Sequence, residues 1–214
     1  MWTDLTNPWQ AAFEMAWEAC CVDTVPIGAV ITDPAGNVIV RERNRIEDKD
    51  APRGRVHNHQ LAHAELNALL QFDSFAADRS RHALYTTMEP CPLCMGAIYM
   101  SGLRTVHYAA RDPFAGSVDL LGQTWYLSRK PVRAIFLQNS MMEIVSMALC
   151  VASDLRFRGI GELDGIVLRR WRSAVPQGVA LGWELYNSNE FHQARKSGRP
   201  APEVVDWLAA KVKI

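Results

Sequence analysis

The spacing of apolar positions along the chain predicts short strands alternating with helices. Trp9, Phe13, Ala16, Trp17 and Cys20 recur at helical intervals behind Asn7-Pro8, with Asn7 as N-cap and Pro8 as first helical residue. The apolar runs Pro26–Ile31 and Val38–Val40 flank Asp33-Pro-Ala-Gly-Asn37 and read as a β-hairpin about a Pro/Gly/Asn turn. Arg41 to Arg55 is charged, contains Pro52 and Gly54, and reads as an exposed loop. A helix follows over about His63 to Gln71, with Leu66, Leu69 and Leu70 toward the core. Ala83–Thr87 is rich in β-favouring residues. Pro92 then opens a helix that Gly102 stops, Arg104–Ala110 returns as a strand, and Arg111-Asp112-Pro113 ends it.

Farther along, Pro131–Gln138 reads as an edge strand. Ser140-Met-Met-Glu143 matches a capping box before a helix with Met142, Val145, Leu149 and Ala152 on one face. From about Gly159 the pattern is less regular, ending in Pro200-Ala-Pro202 and a short helix through Leu208. Alternating strands and helices argue for a layered α/β domain. Residues 1–130 form that domain, and 131–214 form a C-terminal extension packed on it as an edge strand and helices.

Composition narrows the class. A chain of 214 residues holds one domain with a full core, and 49% hydrophobic with 21% charged residues is the balance of a soluble globular protein. Lys plus Arg equals Asp plus Glu at 23 each, so no global field draws a polyanion, although a local basic patch is compatible with this. The start, Met-Trp-Thr-Asp-Leu, lacks the basic and apolar regions of a secretory signal, and Ile144–Ala152 is too short to span a bilayer. Five cysteines, two of them in a C-x-x-C, point to a reducing compartment such as the cytoplasm rather than a disulfide framework.

The chemistry concentrates in His63-Ala-Glu65 and Pro90-Cys91-Pro-Leu-Cys94. Structural zinc takes four protein ligands, whereas catalytic zinc takes three and leaves a position for water. His63, Cys91 and Cys94 make three. Residues 91 and 94 fall on one side of a helix, and a helix start favours the thiolate that binds metal. Glu65 need not ligate and is placed to shuttle protons for the water. Two blander readings compete. The zinc is structural, with His57, His59 or His82 as fourth ligand, and Glu65 is a solvated first-turn carboxylate. Cys20, Cys21 and Cys150 read as core residues, His57-Asn-His59 as a solvated loop, and Arg169-Arg170-Trp171-Arg172 as a solvent-facing turn.

H-x-E followed by P-C-x-x-C is the signature of zinc deaminases that act on nucleobases. On these residues the chain resembles the cytidine deaminase superfamily, in the branch of tRNA adenosine deaminases, guanine deaminases and fungal-type cytosine deaminases. Val25-Pro-Ile-Gly-Ala-Val30, Asn44-Arg45, Tyr85–Cys94 and Ala109-Ala-Arg-Asp-Pro113 support it, and the likeness runs from about Trp9 to about Leu120. The resemblance implies a three-layer α-β-α fold with a central mixed sheet. It implies one zinc per chain on His63, Cys91 and Cys94, with Glu65 catalytic, and a homodimer whose subunits complete each other's pockets. It also implies that Asn44 contacts the base, that Asp112 lies near the sugar side or pocket mouth, and that amides around Ala64 and Cys91 orient the base. Asn44 and Asp112 each have a competing reading as turn residues. Glu89 either steadies the metal loop or is a solvated carboxylate.

The implied reaction is hydrolytic deamination of a small nucleobase or nucleoside, releasing ammonia. Guanine-type purines stand ahead because Asn44 and Arg111-Asp112-Pro113 resemble purine-acting members, and cytosine-type substrates come next. Deamination of adenosine in tRNA is the alternative, although the segment after Ser128 is longer and more mixed in charge than the short basic tail expected there. A non-catalytic partner that keeps zinc as scaffold is a third reading, and the retained Glu65 opposes it. Trp183, Tyr186 and Phe191 either form a lid that stacks on the base or pack the extension onto the core, with packing ahead. No membrane partner is expected.

Overall fold

A computed structural model describes residues 1–159 and 165–212. Strand β1 (Gly28–Thr32) is buried at all five positions because helices cover both of its faces. β1 pairs antiparallel with β2 (Val38–Arg43) on one side and with β3 (Ala83–Thr86) on the other. β4 (Thr105–Tyr108) and β5 (Arg133–Phe136) add in parallel, giving one mixed sheet in the order β2-β1-β3-β4-β5. The β1–β2 hairpin forms where the turn residues place it. Asp33 accepts the backbone N–H groups of Ala35 and Asn37 and closes the connection.

The period of two along the strands divides the core. Ala29, Ile31, Leu84 and Val106 face helices α2 (Ala64–Gln71) and α3 (Pro92–Ser101). Val30 and Tyr85 face the opposite way and join the cluster containing α1 (Asn7–Cys21). That cluster continues without a break into the C-terminal helices: α4 (Ser140–Arg158), α5 (Ile166–Ala174), α6 (Pro176–Asn187), α7 (Asn189–Ser197) and α8 (Ala201–Lys211). The fold is thus α/β, with a mixed five-stranded sheet between helical layers. Among the described residues no helix is long and apolar enough to cross a membrane.

Several expectations need correction. The Arg41–Arg55 segment is exposed at Glu47, Lys49, Asp50 and Pro52–Gly54 as expected, but its first half is not a solvated loop. Glu42, Arg43, Asn44 and Asp48 are buried, and the charges pair across the segment: Arg43 with Asp48 at 2.8 Å, Arg45 with Asp48 at 3.0 Å, Arg55 with Glu42 at 2.6 Å. Leu69 faces the core, but Leu70 is 53% exposed and Leu66 only half-buried, since α2 turns Ala64, Glu65 and Ala68 inward. The first helix starts at Asn7 with Thr6 as N-cap. α4 is capped by Asn139, whose side chain accepts from Met142 N at 3.2 Å, so no Ser140–Glu143 capping box forms. Glu143 instead pairs with Arg111 at 2.7 Å.

Among the described residues the C-terminal region carries four helices after α4, where a less regular pattern was expected. Its amphipathic pattern is interrupted by Gly178 and Gly182, which let α6 approach α4. A Cβ on Gly182 would lie 2.5 Å from Val151 Cβ and 2.8 Å from the Ala148 carbonyl. Arg169, Arg170 and Arg172 are exposed, but on helix α5 rather than a turn.

Gly28 sits where α1 crosses β1. A Cβ there would lie 2.1 Å from the Ala12 carbonyl oxygen and 2.5 Å from Ala16 N, backbone atoms that cannot rotate away. Gly28→Ala is expected to destabilise the fold by about 3 kcal/mol, the upper end of ordinary overpacking. Urea unfolding measures it, and an unchanged midpoint would contradict this packing.

Candidate active site

Two helix N-termini converge on the sheet face that Ala29, Leu84 and Val106 share with α2 and α3. His63 is the N-cap of α2, and Cys91 is the N-cap of α3 with Cys94 one turn inside. Pro92 in the first turn fixes φ without losing a helix hydrogen bond, and Gly102 at φ +93° ends α3. His63 Nδ1 lies 3.5 Å from Cys91 Sγ and 3.5 Å from Cys94 Sγ. The three ligand atoms all fall within 4.8 Å of one another. Zn–S and Zn–N bonds of about 2.3 and 2.05 Å at a tetrahedral angle put sulfur and nitrogen about 3.6 Å apart. The donor set and its spacing fit zinc.

Electrostatics prepare the set. The Cys91 thiol is pulled down to about 4, first by the hydrogen bond from Cys94 and further by His63. The same bond and burial push the Cys94 thiol up. His63 is raised, first by its hydrogen bond with Cys91. A divalent ion displaces these protons on binding.

Glu65 is 3% exposed and stands beside the three ligands. Its Oε1 accepts from the Thr86 hydroxyl at 2.8 Å, and its Oε2 lies 3.4 Å from Cys94 Sγ. Thr86 has the same parity as Leu84 on β3, which aims its hydroxyl at α2. Burial raises the Glu65 pKa above the usual carboxylate value, the Thr86 bond opposing it in part. The solvated reading of Glu65 is therefore wrong.

Among the described residues no fourth ligand completes the group. His57 Nδ1 faces the Asp48 carbonyl, His59 accepts from Leu61 N, and His82 packs on Phe72.

Beside His63 opens a cavity of about 400 Å³, whose lining includes Asn44 and Asp112. Asn44 Oδ1 accepts from Thr24 Oγ1 at 3.0 Å and from Ile46 N at 2.9 Å, leaving its amide NH2 for a ligand. Asp112 Oδ1 accepts from Phe114 N, Ala115 N and Trp171 Nε1, at 3.0, 3.2 and 2.9 Å. Both residues make the turn contacts of the competing reading and line the cavity as well. Ala64 begins α2, where first-turn amides have no intrahelical partner. Glu89 accepts from Asp112 N and Val118 N, steadying the loop after β4.

The far wall was not anticipated. It comes from α4 and α5: Cys150, Ser153, Asp154, Phe157 and Trp171. Trp183, Tyr186 and Phe191 do not line the cavity. Phe191 packs against Trp17, and Trp183, 37% exposed, stacks on Tyr186.

Residues 4–110, half of the chain, match the model of the cytidine and deoxycytidylate deaminase zinc-binding region, and the chain belongs to this family. A tRNA(Ile)-lysidine synthase of Deinococcus deserti is 33% identical over 120 residues, covering 53% of this chain and 21% of that protein. A tRNA-specific adenosine deaminase of Agrobacterium fabrum is 37% identical over 99 residues, 45% of this chain and 59% of its own length. The chain thus spans a fifth of one relative and about three fifths of the other. A solved structure from work on A-to-I editing by tRNA:A34 deaminases superposes with a TM-score of 0.50 at 28% identity, over 60% of this chain and 95% of that one.

Purified protein is expected to carry one zinc per chain by elemental analysis. Cys91→Ser or Cys94→Ser should lose most of it, and chelation should lower the melting temperature by several degrees, since zinc binds only the folded site. Full zinc retention in either serine variant would exclude this ligand set.

Proposed function

We propose that this protein is a zinc-dependent hydrolase that deaminates a small nucleobase or nucleoside. The observation that carries the reading is a buried Glu65, its carboxyl raised by burial, beside a three-ligand metal set whose His63 lines a cavity. His63, Cys91 and Cys94 would hold a zinc ion, which would supply Lewis acidity to activate water near neutral pH. Glu65 accepts a proton from the attacking water, passes it to the ring nitrogen next to the amine-bearing carbon, and assists departure of the amine as ammonia. The water oxygen stays on that carbon as a carbonyl. The Asn44 NH2 donates to an acceptor on the base, and first-turn amides at Ala64 hold its reacting edge. Asp112 stands at the pocket mouth.

Substrate size follows from the walls. α4 and α5 contribute to the lining, and Asp112 brings a carboxylate to the cavity, an environment that disfavours phosphate. A guanine-type purine leads, with a cytosine-type base next. The second reading, adenosine in tRNA, is favoured by the Agrobacterium relative. Exposed Leu61, Leu70 and Met100 along the α2–α3 layer support a homodimer joined through that surface.

Zinc-loaded protein is expected to release ammonia from guanine or cytosine or their nucleosides. Glu65→Gln should keep zinc and lose at least about a thousandfold in kcat. Turnover on tRNA alone, falling steeply between 50 and 200 mM salt, would select the second reading. Unchanged kcat in Glu65→Gln would remove the proton shuttle. Light scattering is expected to give a dimer that Leu70→Glu dissociates.

A further inference from the structure

Asn44 is 2% exposed, and two donors of fixed direction orient its side chain. The Ile46 backbone N–H only donates, so the atom 2.9 Å from it is the amide oxygen Oδ1. The second donor is Thr24, fully buried in the link between α1 and β1. Thr24 Oγ1 accepts from Glu47 N at 3.3 Å, which leaves its proton for Asn44 Oδ1 at 3.0 Å. The Asn44 backbone is held as firmly. Its N–H donates to the Ile27 carbonyl at 2.9 Å, and its carbonyl accepts from Arg43 Nη1 at 2.9 Å. Arg43 is in turn fixed by buried Asp48 at 2.8 Å. The Asn44 NH2, by contrast, meets no acceptor among the described residues. It is not sealed off like the Ser146 and Ser153 hydroxyls, and the surface that Asn44 keeps lies on the cavity it lines.

We infer that Thr24 is a positioning residue that locks the Asn44 amide with its NH2 toward the cavity, making the site selective for a heterocycle with a hydrogen-bond acceptor at the edge facing Asn44. The inference rests on the deaminase reading and deepens it. Thr24 does not line the cavity, so it acts on a ligand only through Asn44. An amide free to turn over could serve either an acceptor or an N–H of the ligand. With both lone pairs of Oδ1 engaged by Thr24 and Ile46, Asn44 serves an acceptor alone: a carbonyl oxygen or an unprotonated ring nitrogen. A ligand edge carrying N–H or NH2 there faces donors and stays unpaired.

Thr24→Val, Thr24→Ser, Asn44→Ala and the double variant Thr24→Val with Asn44→Ala are compared with wild type in the zinc-loaded protein. Binding of guanine, adenine, cytosine and their nucleosides is read by calorimetry, independently of turnover. Thr24→Val should weaken the best ligand about three- to tenfold, the loss of one neutral hydrogen bond, and should raise KM rather than lower kcat. Thr24→Ser keeps the hydroxyl and should hold wild-type affinity. On the Asn44→Ala background Thr24→Val should cost nothing further, because no amide remains to be oriented. An equal loss on that background, or no loss in Thr24→Val alone, would overturn the inference.

Asn44→Asp serves where Thr24→Val fails to fold. It keeps an oxygen for Thr24 and Ile46 and turns a second oxygen, in place of the NH2, toward the ligand. Binding should fall by more than about tenfold, since two acceptors then face each other, and unchanged affinity would overturn the inference. Additive losses with ammonia release by wild type would remove the role of Thr24 and keep the deaminase reading. The expected pattern of binding without ammonia release would sink that reading and leave Thr24 in place. No binding of any of these compounds by wild type would overturn both.

Discussion

Two helix starts held about 3.5 Å apart, ligand atom to ligand atom, are the constraint on which the structure depends. An N-cap residue has extended backbone geometry and projects its side chain beyond the helix. His63 and Cys91 both use it, at φ, ψ of −70°, 152° and −71°, 173°. The unpaired amides of two first turns then surround one point, where they favour thiolate and any negative charge that develops. The sheet exists in the form it does to deliver α2 and α3 there. β1 is buried on both faces, Gly28 lets α1 lie flat on one of them, and Thr86 reaches Glu65 through the other.

The C-terminal half serves the same site from across the cavity. α4 is buried from Met142 to Ser153, where it packs against α6 and α8. Gly178 and Gly182 make room for α6, and the Trp171–Asp112 hydrogen bond ties α5 to the loop that follows β4. The family match ends at residue 110, so the α4 and α5 residues that line the cavity lie outside it. Relatives that share the metal set need not share the substrate.

How much was legible in the sequence depended on how local each cause is. The hairpin about Asp33–Asn37, the first-turn Pro92 and the helix stop at Gly102 are short-range chemistry, and each stands where it was expected. The metal set was readable because ligand spacing is fixed by the ion. Arg41–Arg55 misled because its charges neutralise one another across the fold, with Arg43 reaching back to Glu18 on α1. Leu70 misled because α2 buries small residues and Glu65 instead of its largest side chains. Ser153 and Trp171 carried no local signal. Trp171 sits among exposed arginines, and only the packing of α5 turns it toward Asp112.

The most direct test of the central claim is X-ray absorption at the zinc K-edge of the reconstituted protein. Two sulfurs near 2.3 Å, one imidazole nitrogen and one solvent oxygen near 2.0 Å are expected. A second imidazole or a third protein sulfur in the fourth position would make the zinc a closed structural site and contradict the catalytic interpretation.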